Sequence, residues 1–392
     1  MLNNKNNGLN LPLTLTIPTT RAHRIAVSVF FFIAGFTFAS WASRIPDIKT
    51  KLLLSDAGLG GVLFALPVGL MIGLPFSGYL VARFGSRSIV IIASSIYPLT
   101  LILLGLAPSV WMLSAALFLF GFWGNLFNIS VNTQAVGVEA LYGRSIMASF
   151  HGLWSLAGFT GAAFGTLMIA FHLTPFIHYW IVCSITFLLV LFSFKYTLPH
   201  SSSNNSQPIF ARPDASILKL GLIAFGSMVC EGTMFDWSGV YFQKIVKVPA
   251  SFITLGYVAF MSSMAGGRFI ADWLVTKFGV KTLLQFSGAV ISTGLLTAVI
   301  FPSIVPATIG FLLVGLGVSS VVPLVYGLAG KSKTMLPGVA LAAVSTIGFL
   351  GFLIGPPLIG FIAGASSLRL SFTVIALIGL ATAIVAGKVK IG

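Results

Sequence analysis

The chain has 392 residues, 57% of them hydrophobic and 7% charged, with a formal net charge of +15. A soluble domain carries about 25% charged residues, so a water-soluble globular enzyme and a disordered chain are both excluded. The apolar residues and the 42 glycines suffice for an all-α membrane protein of twelve transmembrane helices, each about 20 residues long and closely packed.

Residues 1–20 are polar and Asn-rich, and the first apolar run is already a full span, so no cleaved leader is expected. Apolar runs then predict spans at roughly 25–43, 57–82, 88–107, 110–136, 146–171, 175–194, 218–242, 251–276, 282–301, 305–330, 336–364 and 369–387. The longest polar stretch follows the sixth run and includes Ser201-Ser202-Ser203-Asn204-Asn205-Ser206. It reads as a flexible linker. The expected organisation is a tail at 1–24, a six-helix bundle at 25–194, a linker at 195–217, a second six-helix bundle at 218–387 and a tail at 388–392.

Of the 22 Lys and Arg, fifteen fall in one set of alternate loops, which includes both tails and the linker. Six fall in the other set (Arg44, Lys49, Lys51, Lys244, Lys247 and Arg369), and Arg268 lies within a span. The positive-inside rule therefore predicts that both termini are cytoplasmic. It also accounts for the net charge better than a nucleic-acid partner does, because the basic residues form no patch. Cys183 and Cys230 lie in apolar runs and predict neither a disulfide nor a metal site. No zinc or nucleotide motif is present, so no metal, no cofactor, no enzymatic activity and no ATP-driven step are expected.

The two halves repeat weakly. Arg83-Phe84-Gly85-Ser86-Arg87 follows span two, and Lys277-Phe278-Gly279-Val280-Lys281 follows span eight. Trp41 near the end of span one matches Trp237 near the end of span seven. These basic-Phe-Gly-x-basic turns resemble the cytoplasmic loop signature of the major facilitator superfamily (MFS). That resemblance implies two six-helix bundles related by a pseudo-two-fold axis, with a solute site between them near the midplane. The usual signature has an acid ahead of its basic residue. Ala82 and Thr276 stand there instead, with Asp272 one turn earlier as a substitute in the second half.

Several further motifs narrow the likeness: Glu231-Gly232-x-x-x-Asp236-Trp237-Ser238, Asn132-x-Gln134 with Glu139, Phe150-His151 with Ser155, and Gly355-Pro356-Pro357 with Gly360. Together they resemble the bacterial fucose-permease-like branch, including its YbjJ-type inner-membrane proteins. The resemblance implies a monomeric transporter in the bacterial cytoplasmic membrane. It takes up a small, sugar-like solute by alternating access with proton coupling, so its partners are the solute, protons and the lipid bilayer. A proton-driven exporter of amphipathic compounds, or a receptor or scaffold that does not transport, remain the alternative readings.

The candidate site residues follow from the cost of polar groups in hydrocarbon. Glu231 lies near the centre of span seven and Asp236 about 7.5 Å nearer its outer end. A midplane carboxylate faces a cavity or a partner and is a proton-binding candidate. For Glu231 a fixed structural hydrogen bond is the other reading. Asp236 and His151 are further proton candidates, and Asp236 could instead form an outer gate with Arg44. Asn125, Asn128 and Asn132 share one face of span four, where they line either a polar cavity or a helix interface. Trp41, Trp123 and Tyr326 carry a ring face and a polar tip suited to sugars or planar solutes. Arg268, four residues before Asp272, is expected to pair with it along span eight.

Overall fold

The computed structural model describes residues 19–143, 146–199, 214–332, 335 and 337–389. Most of the N-terminal tail, most of the linker at 195–217 and the last three residues of the C-terminal tail lie outside the described residues. Among those described, the chain is helical, without strands.

Twelve helices are long and apolar enough to cross a membrane: Thr20–Lys51, Asp56–Phe84, Ser86–Leu106, Val110–Tyr142, Ser149–Ala170, Pro175–Tyr196, Ala215–Val246, Ala250–Ala271, Val280–Ile300, Ile304–Ala329, Val339–Ala365 and Leu368–Gly387. They fall on the twelve runs read from the sequence. Span four runs on to Tyr142, beyond the expected end near 136, and stops at Gly143, whose φ of 61° is left-handed. Apolarity marks where a helix leaves hydrocarbon, not where its backbone hydrogen bonds end. Span one breaks at Ser43-Arg44, and the helix resumes with Pro46 in its first turn.

The packing is duplicated. Span one packs on five and six, two on four, three on four and six; six spans later, seven packs on eleven and twelve, eight on ten, nine on ten and twelve. Between the halves, span two meets eleven and span five meets eight, which are themselves equivalent pairs under the same shift. Spans one and seven form the centre: 67% and 78% of their most apolar stretches are buried, against at most 56% for any other span. They touch directly where the rings of Phe38 and Phe235 meet edge to face, 5.1 Å apart.

The repeated turns are equivalent in backbone conformation. Gly85 (φ 80°, ψ 149°) and Gly279 (φ 77°, ψ 156°) each end one span and begin the next. That region of backbone space is essentially closed to residues with a Cβ. The preceding basic residues also behave alike. Arg83 lies over the rings of Tyr79 and Phe84, and Lys277 over those of Trp273 and Phe278. Asp272 sits on the same helix, but its side chain lies outside the described residues.

Candidate functional site

The end of the molecule away from the termini, the outer end by the charge count, is closed across the two halves. Asp56, at the start of span two, takes Lys49 of span one on one oxygen and Lys244 of span seven on the other, each at 2.8 Å. Lys49 and Asp56 belong to the first half and are almost buried; Lys244 comes from the second half and is 44% exposed. Just below, spans two and eleven meet glycine on glycine. A Cβ added to Gly60 would sit 2.9 Å from the Cα of Gly360 and 2.9 Å from the carbonyl oxygen of Pro356. The hydroxyls of Thr166 and Thr254 join spans five and eight at 2.6 Å.

Halfway down, the second half holds a largely buried ion pair whose arginine also reaches the first half. Arg268 of span eight approaches Glu231 of span seven at 3.9 Å, with both side chains largely sheltered. The same guanidinium reaches across to span five, where it donates to the hydroxyl of Ser155, approaches the carbonyl of His151 at 3.5 Å and lies 5.8 Å from the ring centre of Trp154. Trp154, which lies against the guanidinium, belongs to a chain of ring contacts with Phe38, Phe235 and Phe352 drawn from both halves. Tyr257 lies within electrostatic reach of both Glu231 and Asp236. Buried polar atoms without a hydrogen-bond partner among the described residues are concentrated on these spans: Thr37 and Trp41, Trp237 and Ser238, Tyr257, and Arg268 Nε. The arrangement combines an ion pair, aromatic rings and uncommitted donors where the two halves meet. It can hold a polar solute and respond to its charge state.

The predicted residues divide into three groups. Glu231 lies midway along span seven, and the expected pairing of Arg268 with Asp272 falls on a side chain outside the described residues. Among the described residues, the Arg268 guanidinium extends to span seven and span five. Asp236 is partly exposed and has no hydrogen-bond or ion-pair partner among the described residues. His151 is exposed, its ring edge-on to Phe31 at 5.3 Å, and its backbone joins the Arg268 network. Asn128 and Asn132 bond to each other along span four, with Asn132 Nδ2 donating to the Asn128 carbonyl at 2.8 Å, and Asn128 is exposed.

Other expectations need correcting. Arg44 does not pair with Asp236. It donates from Nε to His178 Nδ1 at 3.1 Å, from Nη1 to Asp47 at 2.5 Å and from Nη2 to the Leu173 carbonyl at 2.8 Å. All three nitrogens are engaged within the first half, because the break in span one turns Asp47 back toward them. Asn125 accepts from Ser77 of span two at 2.7 Å, which makes it an interhelical bond and not a cavity group. Trp41 is buried against Phe120 with ring centres 6.5 Å apart, and Tyr326 packs into the apolar cluster around Val321 and Val325. Trp123, partly buried, stands edge-on to Phe122.

Sequence reasoning misses Asp56, which reads there as a solvated loop acid. Its nearness to Lys49 is visible in the chain; its meeting with Lys244, 188 residues later, is not. The other loop acids also have fixed tasks. Asp214 caps span seven by accepting from the backbone N–H of Ser216 and Ile217, and Glu139 accepts from those of Ile146 and Met147.

Comparison with known proteins agrees with this architecture. Residues 25–336 match the family described as the Major Facilitator Superfamily. An uncharacterised MFS-type transporter of Yersinia pestis is 33% identical over 362 residues, covering 92% of this chain and 94% of its own length. The membrane protein MosC of Rhizobium meliloti is 32% identical, covering 94% of this chain and 90% of its own. Among solved structures, the nucleoside transporter NupG superposes with a TM-score of 0.72 at 14% identity, over 94% of this chain and 98% of its own. A bacterial homologue of the human lysosomal transporter Spinster, inward-facing and occupied, gives 0.73 at 15% identity, over 93% of this chain and 96% of its own. At those identities the structural likeness speaks for the fold alone.

Proposed function

Because the chain belongs to the Major Facilitator Superfamily, we propose that this membrane transporter carries a small polar, sugar-like solute by proton-coupled alternating access. We place it in the bacterial cytoplasmic membrane with both termini inside, and each chain carries a complete site, so a monomer suffices. The observation that carries the reading is the Glu231–Arg268 pair of the second half, whose guanidinium also donates to Ser155 of the first. A proton and Arg268 compete for the same carboxylate. With Glu231 ionised, the guanidinium is held between span seven and span five. With Glu231 protonated, the attraction lapses, and Arg268 keeps Ser155 while turning its other donors to a solute hydroxyl. Proton uptake and solute binding are thereby linked through one side chain. Asn128 and His151, both exposed, and the partly exposed Asn132 supply further hydrogen-bonding groups in the first half.

Glu231→Gln mimics the protonated carboxyl without being able to exchange its proton. In liposomes it is expected to retain counterflow of labelled solute and to lose accumulation driven by a pH gradient. Accumulation at the wild-type level would eliminate Glu231 as the coupling group. The solute itself is found by the rise in melting temperature that binding confers by mass action, screened over sugars, nucleosides and amino acids. The aromatic enclosure of Phe38, Trp154, Phe235 and Phe352 supports a second reading, an exporter of amphipathic cations. A melting shift with quaternary ammonium compounds and none with sugars would favour it.

A further inference from the structure

The first half carries a cavity of about 640 Å³ that belongs neither to the central pair nor to the outer closure. It runs along span one, with Arg21 and Arg24 at its end nearest the termini and Ile25, Val29 and Phe32 beyond them. Leu153 of span five and Leu189 of span six form the sides. Spans five and six each pack on span one, which is therefore the floor between them. The stripe from Arg21 to Phe32 covers about 16 Å of helix. It differs from the face on which Phe38 meets the second half, so the cavity does not open into the solute path. Ile25 is 54% exposed, and Leu156 and Leu188 on the flanking spans are exposed as well. Apolar surface at this depth belongs against acyl chains.

We propose that this groove binds an anionic phospholipid of the leaflet on the side of the termini. The phosphate rests on Arg21 and Arg24, and one acyl chain lies along Ile25, Val29 and Phe32. Charge and shape agree on this occupant. Arg21 is exposed, and its side chain makes no hydrogen bond among the described residues. Arg24 lies over the Tyr142 ring at 5.3 Å and, among the described residues, gives a single hydrogen bond, to Ser149 Oγ at 3.4 Å, from five available N–H groups. The nearby acid, Glu139, is committed to the backbone N–H groups of Ile146 and Met147. A soluble anion would use the arginines and leave the apolar trough uncovered; a neutral lipid would use the trough and leave the arginines unmatched. Through Ser149 the site touches the start of span five, the span that carries Ser155 to Arg268. Lipid bound there therefore steadies one side of the central network.

The test is native mass spectrometry of the purified full-length protein with dioleoylphosphatidylglycerol and dioleoylphosphatidylcholine. Two guanidinium groups give an expected preference of about tenfold to thirtyfold for the anionic lipid. Arg21→Ala/Arg24→Ala should reduce that preference to about threefold or less, while Arg83→Ala/Arg87→Ala, on the same face but outside the groove, should leave it intact. Leu153→Trp fills the trough and spares the charges. It should weaken phosphatidylglycerol binding, and Leu189→Trp gives a second route if that variant folds poorly. Equal binding of the two lipids, or unchanged binding in the arginine double variant, overturns the proposal. So does displacement of the lipid by millimolar inorganic phosphate, which would mark a plain anion site. A melting temperature raised by phosphatidylglycerol in wild type, and not in the arginine double variant, would support it independently.

Discussion

Gly60→Ala tests whether the glycine contact between spans two and eleven holds the outer end closed. The added methyl meets the Cα of Gly360 and the carbonyl oxygen of Pro356, both at 2.9 Å, where ordinary contacts begin at 3.4 Å. Both obstacles are backbone, so no side chain can swing aside and the helices must part by about 0.5 Å or more. Overpacking of this kind costs about 1–3 kcal/mol. The cost falls on the outer-closed arrangement alone, because the two glycines separate when the halves open. The closed population should therefore fall about 5- to 150-fold relative to the open one. Gly61→Ala is the control. No atom lies within 4 Å of a methyl there, and the gain in helix propensity, about 1 kcal/mol, is common to both variants. The assay is the distance distribution between spin labels on cysteines introduced at Trp111 and Val305, exposed outer residues of the first and second halves. The native cysteines at 183 and 230 are buried and leave the labelling specific. Identical distributions for the Gly60 and Gly61 variants would refute the reasoning.

Other outcomes follow from the same geometry. Lys244→Ala removes the second half's contribution to the Asp56 cluster and, being a partly exposed pair, should favour outer opening by about 0.2–1 kcal/mol in the same spin-label assay. Lys49→Ala should lower the melting temperature without moving that distance, because Lys49 and Asp56 travel together; the opposite pattern would show that the halves divide elsewhere. Gln134→Ala should destabilise the protein by about 1–3 kcal/mol. Its amide is fully buried between Ser86 and both backbone groups of Leu198, so a melting temperature within error of wild type would contradict the clamp. Gly85→Ala and Gly279→Ala should each cost about 1–3 kcal/mol, because both backbones lie at positive φ. A loss confined to one of them would break the equivalence of the two turns.

The sequence disclosed what depends on local composition. Spans are legible because hydrocarbon demands uninterrupted apolar helix, and the duplication is legible because Gly85 and Gly279 hold conformations few other residues can adopt. Glu231 was legible because an acid at mid-membrane has few bland explanations. What depends on distant helices meeting was not legible. The chain shows Arg268 beside its own helix neighbours, but not that it reaches Glu231 on span seven and Ser155 on span five. Asn125 looks like its neighbours Asn128 and Asn132, and only the arrival of Ser77 separates a structural amide from more open ones. Asp56 stands at the edge of an ordinary loop and owes its role to span seven.

The central ion pair also bears on how the membrane potential acts. Glu231 and Arg268 together carry no net charge, so the deprotonated carrier can reorient without moving charge through the field. A proton on Glu231 would leave the guanidinium uncompensated, and under the proposed coupling the loaded carrier then moves as a cation. A full elementary charge is worth about 2.3 kcal/mol per 100 mV, and a group near the midplane experiences a fraction of that on reorientation. If Glu231 carries the coupling proton as proposed, the voltage-sensitive limb of the cycle is the loaded one, and the empty return is indifferent to the potential. Under that coupling, transport by this protein is electrogenic, with the current carried by an arginine that never leaves its helix.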